Sequence, residues 1–421
     1  MNARARKHGQ AQRGLSLVEL MVALAIGMLL MLGLVQVMSA SRAAYRLAEG
    51  IGRAQENARF AMDSLERDLR MAGHLGCVSD SALLLSPGPA EAGLNLLFLS
   101  QANRVAGNFA AAPYPLRFDV GLQGFEALGT TPGSTVTLAQ GEPALGNANQ
   151  WSPSLPAELV ALQPVQNSDI VVMRYFAPDS TGITAFNTGS GAGSIAPARK
   201  QTVTDTAASG LFGLSDCLRA SVFAGTVDAG SGTVTVASGG GQLNQSDFMG
   251  DRDLYDLHRT MLYRAEVVVY YVGRGEGSGA TGVRAPSLFR ARFVRGSTGA
   301  LDTVREELVE GVESLQLLYG QDRVTAAGQP PSGYITTSWT GNEIGGGVVN
   351  PSAANAALWR RVGLAQIGLV MRSSEGAVSA QRDPAIQQLS VLGTQVNPQN
   401  DGYYRSVYET SVAQRNRLFE N

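Results

Sequence analysis

The chain has 421 residues, which is enough for one or two folded cores. Its 33 Lys and Arg residues nearly balance its 35 Asp and Glu residues, and the formal net charge of -2 gives no overall basic footprint for nucleic acid. Glycine is abundant, with 50 residues, which indicates many turns and loops and argues against a compact helical enzyme.

A membrane-length apolar segment runs from Gly14 to Met38, and its only ionisable side chain is Glu19. As a helix, with a rise of about 1.5 Å per residue, it would be roughly 36 Å long and would cross a hydrocarbon core of about 30 Å. The leader before it contains four basic residues and no acidic one: Arg4, Arg6, Lys7 and Arg13. The positive-inside rule therefore keeps the leader in the cytoplasm and sends the rest of the chain outward.

The small residue that can serve as a cleavage site is Gly14, which lies before the apolar run and not after it as in a secretory signal. Cleavage there removes the leader, keeps the helix and creates a new amine on Leu15, one helical turn from Glu19. A carboxylate in hydrocarbon is costly unless it is paired or reaches water. We expect Glu19 to pair with an amine of its own or a neighbouring molecule; the alternative is that Glu19 reaches water at the membrane edge.

From Ser39 to about Gly73 the pattern becomes amphipathic. Apolar residues recur at steps of three and four and share one face: Ile51, Ala54, Ala58, Met62, Leu65, Leu69 and Ala72. We predict one helix of roughly 55 to 60 residues that ends at Gly73 and Gly76, with its second half packed on a head domain.

The region from Cys77 to about Thr260 is rich in Gly, Ala, Ser, Thr and Pro and contains short apolar runs, which indicates a β-rich region with long loops. Cys77 and Cys217 are the only cysteines. In an oxidising compartment they most simply form one disulfide, and the alternative is two separate buried thiols.

From Met261 the strand signal sharpens. Ala265 to Val272 and Leu288 to Val294 flank the glycine-rich Gly273 to Gly282 and predict a long-looped hairpin. Three further segments follow the same pattern: Val312 to Tyr319, Val362 to Met371 and Tyr404 to Val412. We predict a short helix over Arg305 to Gly311 and one antiparallel sheet of about five strands, covered by the amphipathic helix. The fold class is α+β.

The string Gly14-Leu15-Ser16-Leu17-Val18-Glu19, between a basic leader and an unbroken apolar run, resembles the signal of type IV pilins and type II secretion pseudopilins. In that family a prepilin peptidase cuts after the glycine and N-methylates the new first residue, and the glutamate guides assembly. The resemblance implies that Gly14 is the cut site, Leu15 the methylated terminus and Glu19 the assembly residue. Leu15 departs from the more frequent phenylalanine.

Later features resemble the large minor pilins of the PilW type. They are Leu69 to Gly73 closing the helix, Cys77 just beyond it, Glu307 to Val312 before a strand that ends at Tyr319-Gly320, and the terminal Arg415-Asn416. The resemblance implies a pilin fold with five parts: a cleaved leader (1–14), a membrane and filament-core helix (15–38), its amphipathic continuation (39–76), a β-rich insertion (77–260) and an antiparallel sheet (261–421).

The implied function is that of a minor pilin, which waits in the inner membrane with its head in the periplasm and then enters the pilus, in the tip or priming complex that starts pilus assembly for twitching motility and adhesion. The implied partners are the prepilin peptidase, other minor pilins, the major pilin, the inner-membrane assembly platform and a tip adhesin. Two alternatives remain: a type II secretion pseudopilin, whose heads are usually smaller, and an uncleaved membrane-anchored receptor or enzyme.

The sequence supports no cofactor, metal site or catalytic role. The glycines at 189, 191 and 193 lack the strand and helix context of a phosphate loop. The acidic cluster of Asp251, Asp253 and Asp256 lacks the glycine and distal glutamate of a calcium loop. Two histidines remain after the leader, His74 and His258, and neither has a nucleophile or base partner nearby in sequence.

Overall fold

The computed structural model describes residues 16–78, 93–204, 210–248, 251, 254–278, 282–326, 329, 331–376, 388–399 and 401–414. Gly14 and Leu15 lie outside the described residues, as do Arg415 and Asn416.

A single helix, α1 (Leu17–Met71), of 55 residues dominates the N-terminal part of the chain. From Gly50 onward one of its faces is buried, and that face includes Ala58, Leu65 and Leu69. Ala72 caps the helix, and Gly73 and Gly76 follow it with positive φ angles of 76° and 78°, which let the chain turn away. The predicted long helix and the residues that end it are confirmed.

The first part of the head contributes the strands β1 (Gly93–Leu96), β2 (Leu122–Ala127), β3 (Thr135–Thr137), β4 (Trp151–Ser152), β5 (Ile170–Gly189), β6 (Ala192–Pro197), β7 (Leu211–Ser215), β8 (Arg219–Ala224), β9 (Thr226–Val227) and β10 (Val234–Ala237). The second part contributes β11 (Met261–Ser278), β12 (Arg284–Arg295), β13 (Leu301–Glu310), β14 (Val312–Asp322), β15 (Ile335–Trp339), β16 (Val362–Gly376), β17 (Leu389–Val391), β18 (Thr394–Asn397) and β19 (Tyr403–Ala413). Short helices lie at Gln101–Val105, Ala157–Val160, Lys200–Thr204, Gly341–Gly345 and Ala353–Arg360.

These strands form three sheets within the described residues. A twelve-stranded sheet has the order β1-β8-β7-β11-β5-β6-β10-β9. Four further strands branch from this path: β12 pairs with β11, and β13 with β12, while β2 pairs with β5, and β4 with β2. A four-stranded antiparallel sheet has the order β15-β14-β16-β19, and a three-stranded sheet has the order β17-β18-β3. The α+β architecture, with a long helix on sheets and a large β-rich region, is confirmed, and strands from both sides of residue 260 share the large sheet.

Two details of the predicted sheet are wrong. Residues 305–310 belong to the strand β13 and not to a helix, because they pair with β12 along its length and Arg290 bonds Glu306 across the two strands at 2.8 Å. The predicted hairpin of β11 and β12 is present, but it belongs to the large sheet, whereas β14, β16 and β19 form the small one. The reason is that β11 also pairs with β5 and β7, which come from the region that the sequence pattern left unresolved.

One hydrophobic cluster joins α1 to both sheets. Leu65 and Leu69 of the helix share it with Val171 and Tyr270 of the large sheet, and the small sheet contributes residues that include Ile367. The opposite face of the large sheet packs a second cluster that contains Val269 and Tyr271 of β11. Because β11 is buried on both faces, its apolar residues form a continuous run without alternation.

A buried carboxylate pair lies where the two sheets meet. The Asp169 carboxylate accepts hydrogen bonds from the backbone N–H of Ala127 and of Leu317, each at 2.8 Å, and so links β2 to β14. The neighbouring Glu126 accepts a hydrogen bond from the Thr130 hydroxyl at 3.1 Å. Burial, and then the charge of Asp169, raise the pKa of Glu126 from an ordinary 4.5 to about 9. Burial also raises the pKa of Asp169, although its two backbone donors oppose this shift.

This pair predicts that stability falls as the pH rises. A carboxyl whose pKa is higher in the folded state binds more protons there than in the unfolded state, so the free energy of unfolding decreases between about pH 4.5 and about pH 9. In detergent-solubilised protein we expect a loss of up to about 6 kcal/mol across this window, measured by denaturant unfolding at each pH. Glu126→Gln should flatten the profile, and Glu56→Gln on the exposed helix face should leave it unchanged; equal profiles for all three proteins would contradict this account.

Candidate assembly site

The first half of α1 is not buried against any described part of the head. Its apolar side chains are exposed, with 75% of Leu17 and 71% of Leu30 accessible, and its most apolar 18-residue window is 0% buried. Within the described residues, α1 is the one helix long and apolar enough to cross a membrane. Because so much contiguous apolar surface is unfavourable in water, this half of the helix is built for burial in lipid or against other helices.

The start of α1 is a reciprocal cap formed by Ser16 and Glu19. The Ser16 hydroxyl accepts a hydrogen bond from the backbone N–H of Glu19 at 3.2 Å, and the Glu19 carboxylate accepts one from the backbone N–H of Ser16 at 3.0 Å. This capping box satisfies two of the backbone donors that a helix start leaves open, and the first turn favours an anion. Sequence reasoning missed Ser16, although Ser-x-x-Glu before an apolar run is a known signal of a helix start.

The cap occupies one oxygen of Glu19, since Ser16 bonds to Oε2. No hydrogen bond to Oε1 is found among the described residues, and the side chain is exposed. The carboxylate can therefore close the helix start and still accept a donor from another group. Gly14 and Leu15 lie outside the described residues, so the cleavage, the methylation and the pairing of Glu19 with an amine remain predictions.

The free half of the helix ends where α1 meets the head, at Gly50. A Cβ atom built at Gly50 would lie 3.2 Å from the Cβ of Ser373 in β16, so the helix and the small sheet approach closely at this point. Further along, Thr410 of β19 donates to the Glu66 carboxylate at 2.8 Å, and Gln414 donates to the carbonyl of Leu69 at 2.6 Å. These contacts fix the small sheet along the second half of α1.

Asp68 fixes the same half of the helix to the large sheet. Its carboxylate accepts hydrogen bonds from the hydroxyls of Tyr175 on β5, at 3.1 Å, and Tyr270 on β11, at 2.7 Å. The guanidinium of Arg290 lies 3.8 Å away. Burial, and then the charge of Asp68, raise the pKa of both tyrosines far above the usual range, so both hydroxyls stay protonated and donate. Sequence reasoning missed Asp68; its signal is an acidic residue on the apolar face, next to Leu65 and Leu69.

The two cysteines form a disulfide, as predicted, with a Cα–Cα distance of 4.5 Å. Cys77 lies a few residues after the end of α1, and Cys217 lies in the turn between β7 and β8 with a positive φ of 69°. The bond therefore ties the segment that leaves the helix to the large sheet. Together with the hydrogen bonds of Asp68, the disulfide holds the head to the second half of α1.

Within the described residues, no group of three or more His, Cys, Asp or Glu side chains is arranged to hold a metal ion. The ring nitrogen Nδ1 of His74 is hydrogen-bonded to the carbonyl of Phe176 at 2.9 Å, and His258 is exposed. These contacts give His74 a structural role.

Two family models match the chain. Residues 9–35, which span the Gly14 to Glu19 motif, match the prokaryotic N-terminal methylation motif. Residues 269–416, which include β12 to β19, match the type IV pilus-assembly protein W family, PilW. No curated protein and no solved structure matches the chain.

Proposed function

We propose that this chain is a minor pilin of the PilW type that helps to start pilus assembly and resides at the pilus tip. Two matches support the proposal: residues 9–35 match the prokaryotic N-terminal methylation motif, and residues 269–416 match the PilW family. In this proposal the prepilin peptidase cleaves after Gly14, Leu15 becomes the methylated terminus, and Glu19 pairs with a terminal amine as the helix joins the other pilins. The observation that carries the proposal is that the apolar first half of α1 is exposed, whereas its second half packs into the core of the described head.

The size of the head supports a rare position. Its three sheets extend from β1 to β19 and include a twelve-stranded one. Pilin subunits repeat closely along a thin filament, and a head of this size is hard to accommodate in every subunit. A single copy at the tip is not limited by neighbouring heads in this way. The tip position also accounts for the expected partners, which are other minor pilins, the major pilin, the inner-membrane assembly platform and a tip adhesin.

A strain that lacks the chain tests the proposal when surface pili and type II secretion are scored separately. We expect few or no pili, no twitching motility and normal secretion, with pili restored by the wild-type chain and not by Gly14→Ala. Normal pili with impaired secretion would instead identify a type II pseudopilin. Loss of neither would contradict both assignments.

A further inference from the structure

The small sheet has an open edge at β15. This strand pairs with β14 on one side and with no strand of the described residues on the other. Its sequence, Ile-Thr-Thr-Ser-Trp, contains no charge and no proline, and its residues from Thr336 to Trp339 are exposed. Tyr334, just before the strand, is 64% exposed, and Trp339 is 39% exposed. An unpaired edge of β-branched and aromatic residues is a template for another strand.

A longer edge strand of the same head, β13 in the large sheet, is protected in the usual way. Among the described residues β13 pairs with β12 alone, and it carries five charged residues: Asp302, Arg305, Glu306, Glu307 and Glu310. Charges along an edge strand discourage pairing with other chains. The contrast shows that β15 lacks a protection that this fold uses elsewhere.

The open edge lies at the end of the head that is far from the membrane. β15 pairs with residues 319–322 of β14, and residues 319–321 of β14 pair in turn with residues 362–365 of β16. The neighbouring Gly363 accepts a hydrogen bond from Gln414, whose side chain also donates to the carbonyl of Leu69. The free half of α1 ends at Gly50, nineteen residues or roughly 28 Å of helix before Leu69. A partner at β15 would therefore lie at the end of the head that is farthest from the membrane-length half of α1.

A second membrane-anchored copy is a poor occupant of this edge. β16 runs from Gly363, beside Leu69, to Ser373, beside Gly50, so it runs opposite to α1. Two antiparallel pairings then make β15 run opposite to α1 as well. If a second copy paired its own β15 antiparallel to this one, its α1 would point the opposite way, and the two free helix halves would not enter the same membrane from the same side.

Charges of opposite sign flank the edge. The guanidinium of Arg323 lies 4.9 Å from the centre of the Tyr334 ring, at the start of β15, and is exposed. Glu343 follows the end of the strand, where its carboxylate accepts the backbone N–H of Thr340, and it is also exposed. An antiparallel segment with a basic residue at its N-terminal end and an acidic residue at its C-terminal end would meet a partner charge at each end.

We propose that β15 is the docking edge for an extended, uncharged, β-branched segment of a different protein, added antiparallel and flanked by a basic residue before it and an acidic residue after it. Main-chain hydrogen bonds to β15 supply affinity, and Arg323 and Glu343 set direction and register. This inference goes beyond the proposed function, and it applies to the folded head whether or not the chain assembles into a pilus.

The first test uses purified full-length protein in lipid nanodiscs and a fluorescent peptide, Lys-Thr-Val-Thr-Val-Thr-Asp, with both ends blocked. We expect saturable binding by fluorescence anisotropy, and binding about tenfold weaker or more in Thr337→Lys and in Thr336→Lys, since an edge lysine opposes strand addition. Val304→Lys adds the same charge to the other edge strand, β13, and should bind like the wild type. A peptide with proline in place of its central threonine should not bind, since proline cannot donate a main-chain hydrogen bond to the edge.

The absence of binding, or equal binding to all four proteins, would overturn the proposal. Circular dichroism of each variant checks that the lysine has not unfolded the head. The two β15 variants should weaken binding alike, so that a folding defect in one of them does not decide the result.

The second test places a photo-crosslinking amino acid at Thr337, or at Val304 as the control, in cells. The expected result is a crosslink from position 337 alone, mapped by mass spectrometry to a segment of another protein with the stated flanking charges. A crosslink to a second copy of this chain, or to a charged or helical segment, would contradict the proposal. Because the peptide test requires no pilus, its outcome is separable from that of the pilus assay.

Discussion

Replacing Glu19 by alanine is expected to lower the amount of this chain in sheared surface pili by about tenfold or more, with little change in the membrane pool. The physical reason is that in the proposed filament the Glu19 carboxylate pairs with the terminal amine of a neighbouring chain, and alanine would leave that amine as an uncompensated charge among apolar helices, which is costly. Immunoblots of sheared pili and of membranes measure the two pools.

Two further variants separate the charge of Glu19 from its role in the cap. Glu19→Gln preserves a side chain that can close the capping box with Ser16 but removes the charge. Ser16→Ala removes half of the cap and keeps the charge. We expect Glu19→Gln to fail like Glu19→Ala and Ser16→Ala to assemble; wild-type levels of Glu19→Gln in pili would contradict a role for charge pairing.

Removing the disulfide is expected to destabilise the head by about 5 kcal/mol, because the bond closes a long loop whose entropy the unfolded chain would regain. The sequence separation of the two cysteines is 140 residues. The measurement is denaturant unfolding of the detergent-solubilised Cys77→Ser, Cys217→Ser double variant against the wild type.

Local consequences should accompany the global loss. Cys77 holds the segment after α1 against the turn at Cys217, so hydrogen exchange should increase first in residues 73–78 and 211–224. The small sheet, held to α1 by Thr410 and Gln414, should change less. An unchanged unfolding midpoint in the double variant would show that the disulfide contributes little to the folded head.

The parts of the molecule that were predictable are those in which one periodic pattern dominates. The apolar run from Leu17 and the stripe through Leu65 and Leu69 predict α1 because both patterns repeat at the spacing of a helix. The continuous apolar run of β11 predicts a strand. Its burial on both faces, which places it at the centre of a large sheet, became visible only when β5 and β7 were seen beside it.

The parts that were missed depend on partners distant in sequence. Residues 305–310 resemble a helix because Arg, Glu and Leu favour helices, yet pairing with β12 overrides that preference. Asp68 has meaning only beside Tyr175 and Tyr270, which lie more than one hundred residues further along the chain. The open edge at β15 is likewise a property of the assembled sheet, and a short polar strand gives no sequence signal for it.

The measurement that tests the central claim most directly is the intact mass and N-terminal sequence of the chain, purified from membranes of a host that contains a prepilin peptidase. We predict a first residue of N-methylated Leu15 in the wild type and an uncut chain in Gly14→Ala. A wild-type chain that still begins at Met1 would contradict the filament pathway, and Glu19 would then be an unexplained charge in an ordinary membrane anchor.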